Sequence, residues 1–278
     1  MKAFVFNHDR CNGCRNCQFA CKDEHCNNDW SPYAKQQPDV GHFWINVDEK
    51  TRGTVPKVKV SYIVKMCQHC ENAPCMDAAP EAVYRRDDGL VIIDPEKAKG
   101  LASLVDSCPY GAIFYNAELD IPQKCTGCAH LIDDGWDVPH CVDCCPTGAL
   151  RFGDEADFAE EIAASELLIE GTDTKPRVYY LNLPKRFIGG IVVDIDADEV
   201  VIGAKVTLQN LETEEVVVTL TDDFGDYWFK QIDAAPYNLY FEKEGYMTRT
   251  ISTSTVEADK NVGVTELFKT PAVLAQAL

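Results

Sequence analysis

The chain has 278 residues, with 26 Lys and Arg against 45 Asp and Glu, a formal net charge of −19, and 14 cysteines. That length accommodates two domains of ordinary size, and the acidic balance argues against nucleic-acid binding, which needs Lys and Arg to replace counterions on phosphate. No apolar run reaches transmembrane length, and residues 1–9 offer neither a signal-peptide stretch nor a twin-arginine pair. The expectation is a cytoplasmic chain without direct membrane insertion, exported only if a partner carries the signal, whose reduced thiols are free to bind metal.

Residues 3–7 read as a short strand leading into the first cysteine run, Cys11-x2-Cys14-x2-Cys17-x3-Cys21. Three cysteines spaced by two wrap one face of a cubane, and the fourth ligates a different cluster in two-cluster ferredoxins. The proline that usually follows that fourth cysteine is absent, since Lys22 follows Cys21. The second run is Cys67-x2-Cys70-x4-Cys75. Residues 83–86 and 90–93 form an expected hairpin around Asp87-Asp88-Gly89. The third run is a lone Cys108-Pro109, and the fourth is Cys125-x2-Cys128, twelve residues, then Cys141-x3-Cys145-Pro146. A short strand is expected over 149–152.

These runs supply twelve ligands, which is three sets of four. Exchange of the last cysteine between runs gives three 4Fe–4S sites. Cys11, Cys14 and Cys17 join Cys145; Cys125, Cys128 and Cys141 join Cys21; Cys67, Cys70 and Cys75 join Cys108. Twelve thiolates around three dipositive cores would lower the charge by about six more, because coordinating thiols are deprotonated. An acidic carrier of this kind suits docking to a basic partner; plain solubility is the other reading of the same charge.

The alternative metal is zinc, which would make the chain a structural interaction module. Zinc explains neither the triple spacing of the first run nor the Cys-Pro endings. Cys26 and Cys144 are left over; Cys144 adjoins Cys145, as a competing ligand or as a packed thiol. His25, His69, His130 and His140 stand close to ligand cysteines, either as donors to cluster sulfur or as ordinary packing residues. Trp30, Trp44 and Trp136 are expected to pack over this domain or its interface. No nucleophile–base constellation, phosphate loop or carboxylate pair stands out, so no catalytic residue is assigned to this chain.

No cysteine follows Cys145. Residues 154–168, rich in Ala and Glu, read as a short helix and residues 171–176 as a linker. From residue 189 onward, Val and Thr alternate with polar residues in runs such as 191–193, 205–208, 216–220 and 237–241, which suits an antiparallel sandwich of about seven strands. The expected fold class is α+β. A ferredoxin-like multi-cluster domain over 1–153 is followed by a helix and linker over 154–188 and an all-β, immunoglobulin-like sandwich over 189–278.

The four-run layout resembles the electron-transfer subunits of molybdopterin enzymes of the dimethyl sulfoxide reductase family. Met66-Cys67-Gln68-His69-Cys70-Glu71-Asn72-Ala73-Pro74-Cys75 and Lys124-Cys125-Thr126-Gly127-Cys128-Ala129-His130 carry the likeness. So does Asp94-Pro95-Glu96-Lys97-Ala98-Lys99-Gly100-Leu101, which is similar to that family's Asp-Pro-x-Lys-Cys-x-Gly-Cys with both cysteines replaced. A four-cluster member would carry cysteines where this chain has Ala79, Ala98, Leu101 and Leu104. The resemblance therefore implies clean deletion of one cluster, its volume refilled by a small apolar core.

Within the family, the lost cluster and the added sandwich resemble the small subunits of pyrogallol–phloroglucinol transhydroxylases and related phenol hydroxylases and catechol dehydroxylases. Asp23-Glu24-His25, Gly41-His42-Phe43-Trp44 and residues 171–180 support this. Residues 221–229, Thr-Asp-Asp-Phe-Gly-Asp-Tyr-Trp-Phe, are similar to a turn of carboxypeptidase-regulatory-like and transthyretin-like domains, which implies an immunoglobulin-like or transthyretin-like sandwich. What the resemblance implies is a heterodimer, with or without further oligomerisation, whose large catalytic subunit holds molybdenum or tungsten on two pterin dinucleotides. The same resemblance also admits an electron-transfer subunit linking another molybdopterin reductase or a formate dehydrogenase to a membrane quinone protein.

Overall fold

The computed structural model describes residues 1–271, so residues 272–278 of the expected 189–278 sandwich lie outside the described residues. The chain divides into two compact units, residues 1–49 with 62–183 and residues 50–61 with 184–278.

In chain order the elements up to residue 183 are β1 (Lys2–Asn7), α1 (Asn16–His25), β2 (Ile45–Thr54), β3 (Lys57–Met66), α2 (Pro74–Ala78), β4 (Val83–Arg85), β5 (Val91–Ile93), β6 (Phe114–Asn116), β7 (Ile121–Gln123), α3 (Ala129–Asp133), α4 (His140–Asp143), β8 (Leu150–Asp154), α5 (Ala159–Ala163) and β9 (Val178–Leu181). Ala3, Phe4, Val5 and Phe6 are all buried. Such a run, apolar on both faces, marks an interior strand covered above and below its sheet. Accordingly, β1 is central in a three-stranded sheet, antiparallel to β8 and parallel to β9. The register pairs Phe6 with Leu150. The first cysteine run, leaving β1, is thereby brought beside Cys145, which enters β8.

The expected hairpin is present as β4 and β5, with Val83 opposite Ile93. Gly89 in its turn has φ +95°, a conformation open to glycine at little cost. Two expectations are corrected. The segment 154–168 forms only a 3-10 turn, Glu155–Phe158, and the five-residue α5, neither with a buried residue. A helix without an apolar face to pack does not propagate.

Residues 171–176, read as a linker, are packed into the first unit. Glu71 and Asn72 donate their backbone N–H groups to the carbonyls of Lys175 (2.8 Å) and Thr174 (3.0 Å). Thr174 is buried, with the Tyr110 hydroxyl 2.7 Å from its own. Turn-forming composition is the same whether the polar groups meet water or another loop. The boundary between the units therefore falls near residue 183, and residues 154–183 belong with the cysteine-rich part.

The second unit contains β10 (Arg186–Asp194), β11 (Glu199–Val200), β12 (Lys205–Asn210), β13 (Val216–Leu220), β14 (Asp226–Ile232), β15 (Pro236–Glu242), β16 (Arg249–Ser254) and β17 (Lys260–Leu267). One sheet runs β11-β10-β14, with β17 also on β10, and the other runs β13-β12-β15-β16. Alternation along β15 turns Tyr237, Leu239 and Phe241 into the core between them. The expected all-antiparallel, seven-stranded arrangement is amended twice. A two-residue strand is added, and β17 lies parallel to β10. A strand arriving from the opposite sheet is not reversed by a hairpin, so its direction is free. Gly225 (φ +73°) makes the turn before β14, where a Cβ would lie 2.7 Å from the Val192 carbonyl oxygen. β2 and β3 pair as a two-stranded sheet, and the tip between them, residues 50–61, belongs to this second unit, where Lys57 Nζ is 2.5 Å from Asp226.

Candidate metal centres

Local backbone geometry aims the first run inward. Gly13 (φ +73°) lies where a Cβ would be 2.5 Å from the Tyr62 ring, and Arg15 (φ +63°) turns the chain into α1. Cys17 and Cys21, four apart on α1, then share its buried face. Cys11, Cys14, Cys17 and Cys145 line one cavity, walled by Phe6, Val47, Val64 and Leu150. It encloses about 320 Å³ of empty space, part of it open to solvent. Cys14 is exposed and Cys11 and Cys145 are half-buried. Burial pushes the Cys145 thiol up, but the Leu150 amide, the Thr147 hydroxyl and neighbouring amides outweigh it and bring the thiol below its ordinary value.

Cys67, Cys70, Cys75 and Cys108 line a second cavity together with His69, Tyr110 and Lys124, with about 340 Å³ of empty space, part of it open to solvent. The backbone N–H of His69 reaches Cys67 Sγ at 3.5 Å. Burial pushes the Cys70 thiol up to about 12, an effect eased by the Thr174 hydroxyl of the supposed linker.

The remaining set, Cys21, Cys125, Cys128 and Cys141, is buried throughout. Gly127 (φ +66°) bends the Cys125–Cys128 loop, and its N–H reaches Cys125 Sγ at 3.3 Å. After burial, the main influences on the Cys21 thiol are Cys125 and Cys128, and on Cys141 they are Cys128, Cys21 and Cys125. The three sets adjoin in a row: Cys17 bears on Cys21 and Cys141, and Cys67 bears on Cys125. The set built on Cys125 therefore lies between the other two.

Histidines crowd the middle set. His25 is buried against Trp44 (4.6 Å between ring centroids), with Nε2 4.0 Å from Cys128 Sγ. Burial, then His130 and His140, lower it to about 3, so its ring is neutral. Glu24 accepts from His130 Nε2 and His140 Nδ1, each at 2.9 Å. Trp30 stacks on His130 at 4.2 Å, whereas Trp136 is exposed. Of the two spare thiols, Cys26 donates to Asp39 and Cys144 to the Cys141 carbonyl, each at 3.5 Å, and neither lines the two thiol cavities. Ala79, Ala98, Leu101 and Leu104 come together in one apolar cluster with Val83, Ile93 and Ile113.

A tetrahedral zinc needs four sulfurs about 3.8 Å apart, from Zn–S bonds of about 2.3 Å. Among the described residues no three His, Cys, Asp or Glu side chains are grouped to hold a single ion. Thiols surrounding a cavity, with backbone N–H groups aimed at sulfur, fit an iron–sulfur cubane instead. Two buried groups would serve such a body: the His69 ring, one of the four histidines already singled out beside ligand cysteines, and Lys124, which escaped sequence reasoning. The lysine carried no signal beyond adjoining Cys125.

Residues 58–155 match the 4Fe-4S dicluster domain family, and residues 188–266 match the carboxypeptidase regulatory-like domain family. The chain is 39% identical over 264 residues to the pyrogallol hydroxytransferase small subunit of Pelobacter acidigallici, covering 91% of this chain and 93% of that one. It is 31% identical over 195 residues to a subunit of the tetrathionate reductase of Salmonella typhimurium, covering 67% and 74%. The match to the beta subunit of the selenate reductase of Thauera selenatis is 34% over 109 residues, covering 38% and 32%. Since the first of these likenesses runs through both units rather than the cysteine-rich part alone, the chain belongs to the iron–sulfur subunits of the dimethyl sulfoxide reductase family of molybdopterin enzymes.

Proposed function

We propose that this chain is the electron-transfer subunit of a heterodimeric molybdopterin enzyme acting on hydroxylated aromatic compounds. The active site, with molybdenum or tungsten on two pterin dinucleotides, belongs to the large partner. The ligands proposed for three 4Fe–4S clusters are Cys11, Cys14, Cys17 and Cys145; Cys21, Cys125, Cys128 and Cys141; and Cys67, Cys70, Cys75 and Cys108. Bound there, the clusters supply one-electron chemistry, with potentials set by hydrogen bonds, burial and charge. The chain's own residues hold them: amides of His69, Gly127 and Leu150 point at ligand sulfurs, and Phe6, Val47, Val64 and Leu150 wall the Cys11-set cavity with apolar surface.

The observation that carries the substrate class is the 39% identity, along nine-tenths of both chains, to a pyrogallol hydroxytransferase small subunit. Against the quinone-linked alternative stands the apolar cluster of Ala79, Ala98, Leu101 and Leu104, where a fourth cluster would extend the row. Elemental analysis of the anaerobically purified native complex tests the reading. About twelve irons per copy of this chain, after subtraction of any on the partner, and one molybdenum or tungsten are expected. Zinc in place of iron would sink it, and iron without molybdenum or tungsten would remove the partner. Turnover of di- and trihydroxybenzenes then tests the substrate class.

A further inference from the structure

A buried ammonium without an anion is strongly unfavourable and ordinarily sheds its proton. Lys124 is 4% exposed. Its Nζ donates to the carbonyl of Val91 and, at 3.0 Å, to that of Cys125. No carboxylate pairs with it among the described residues. Arg177, another buried cation of the same unit, reaches Glu71 and Glu155 instead. The groups that bear on Lys124 as potential anions are thiols: Cys67 and Cys75 of one set and Cys125 of the next. The charge sits at the seam between two proposed cluster sites.

His69 stands on the same side of that seam as Cys67. It is 1% exposed, and its Nδ1 accepts the Val91 N–H at 3.0 Å. The proton of the neutral ring therefore resides on Nε2, which is buried and has no partner among the described residues. The ring lines the Cys67–Cys108 cavity and is steadied by stacking on Phe4 (6.1 Å, 18°). A buried N–H left without an acceptor beside four thiols is suited to donating to the sulfur of a bound cluster.

We propose that Lys124 is a shared counter-charge for the clusters held by the Cys125 and Cys67 sets, and that His69 donates Nε2–H to the Cys67-set cluster alone. Both are positioning residues that raise reduction potentials, because reduction adds negative charge that a nearby cation or N–H donor stabilises. The inference rests on the three-cluster reading of the preceding subsection.

The test is a potentiometric titration of the anaerobic native heterodimer followed by electron paramagnetic resonance, with iron counted in each sample. Cys108→Ser identifies the Cys67-set signal. At the potential that half-reduces each wild-type cluster, Lys124→Met is expected to lower the reduced-to-oxidised ratio about ten-fold at two clusters, a fall of about 59 mV for a one-electron couple. Lys124→Arg, which keeps the charge, is expected to restore both. His69→Leu is expected to lower one cluster only, and the Cys11-set cluster to stay unmoved in every variant. Shifts at none or all three clusters, or a His69→Leu effect outside the Cys67 set, would overturn the proposal. Should Lys124→Met lose iron, loss from the two adjoining clusters together upholds the shared role, whereas loss from one or from all three refutes it. A wild-type count far below twelve irons instead defeats the three-cluster reading itself.

Discussion

At the residue scale, the proposal of Cys108 as a ligand and Cys144 as a spare thiol rests on what each sulfur contacts. Cys108 borders a cavity with three other thiols, while Cys144 spends its S–H on the Cys141 carbonyl. Cys108→Ser is expected to remove about four irons and spare the rest, and Cys144→Ala to retain all of them, as iron analysis and paramagnetic spectra would record. Equal losses from both would return Cys144 to the ligand list. Protonation gives a second expectation. Burial pushes the Cys17, Cys70 and Cys125 thiols from 9 up to about 12. In the unloaded fold this favours the neutral thiol, a contribution complete below pH 9 and lost as pH rises toward 12. Loading reverses the sign, since ligated thiolates bind fewer protons than free thiols. Iron retention is therefore expected to fall progressively as pH drops from 8 to 5, with proton release on loading; retention independent of pH would contradict this.

At the element scale, the sites are made by short pieces held in register. The β1–β8 pairing sets Phe6 opposite Leu150, which closes the first cysteine run on Cys145. Neither α3, α4 nor the Gly127 bend is long enough to persist alone, so packing must hold them, joined by the proposed clusters once bound. The apolar cluster at Ala79, Ala98, Leu101 and Leu104 takes over where a fourth cluster would have tied its segments together. Leu104 is 2% exposed in it. Leu104→Ala is expected to cost about 2–5 kcal/mol and Leu104→Met less than about 1.5, from denaturant unfolding of the loaded protein. Equal, small effects would mean that this cluster is not a packed core.

At the scale of the whole molecule, the acidic charge serves either docking to a basic partner or plain solubility, and salt separates the two. The formal −19 deepens by about six once three clusters are bound. Association with the large subunit is expected to slow several-fold as salt rises from 50 to 500 mM, because screening shortens the reach of the field. A rate that ignores salt would assign the acidity to solubility alone. Exposed Cys14 marks where the row of thiol sets comes nearest to solvent.

The sequence by itself determined the cysteine spacing that marks a 4Fe–4S domain, the β4–β5 hairpin and the β texture beyond residue 189, and it is the source of the proposed grouping of twelve cysteines into three sets. Those properties are local: ligand spacing and the alternation of Val and Thr are written within a few residues. The tertiary structure decided what depends on distant partners. Thr174 became a buried neighbour of Cys70 because residues 71 and 72 had free backbone groups to satisfy. The β17 strand ran parallel to β10 because no hairpin constrained it. Lys124 and His69 acquired their places only when β5 offered both a carbonyl and an N–H at Val91. Burial is a property of the closed fold, so a lysine next to a cysteine looks the same in sequence whether it faces water or lies between two metal centres.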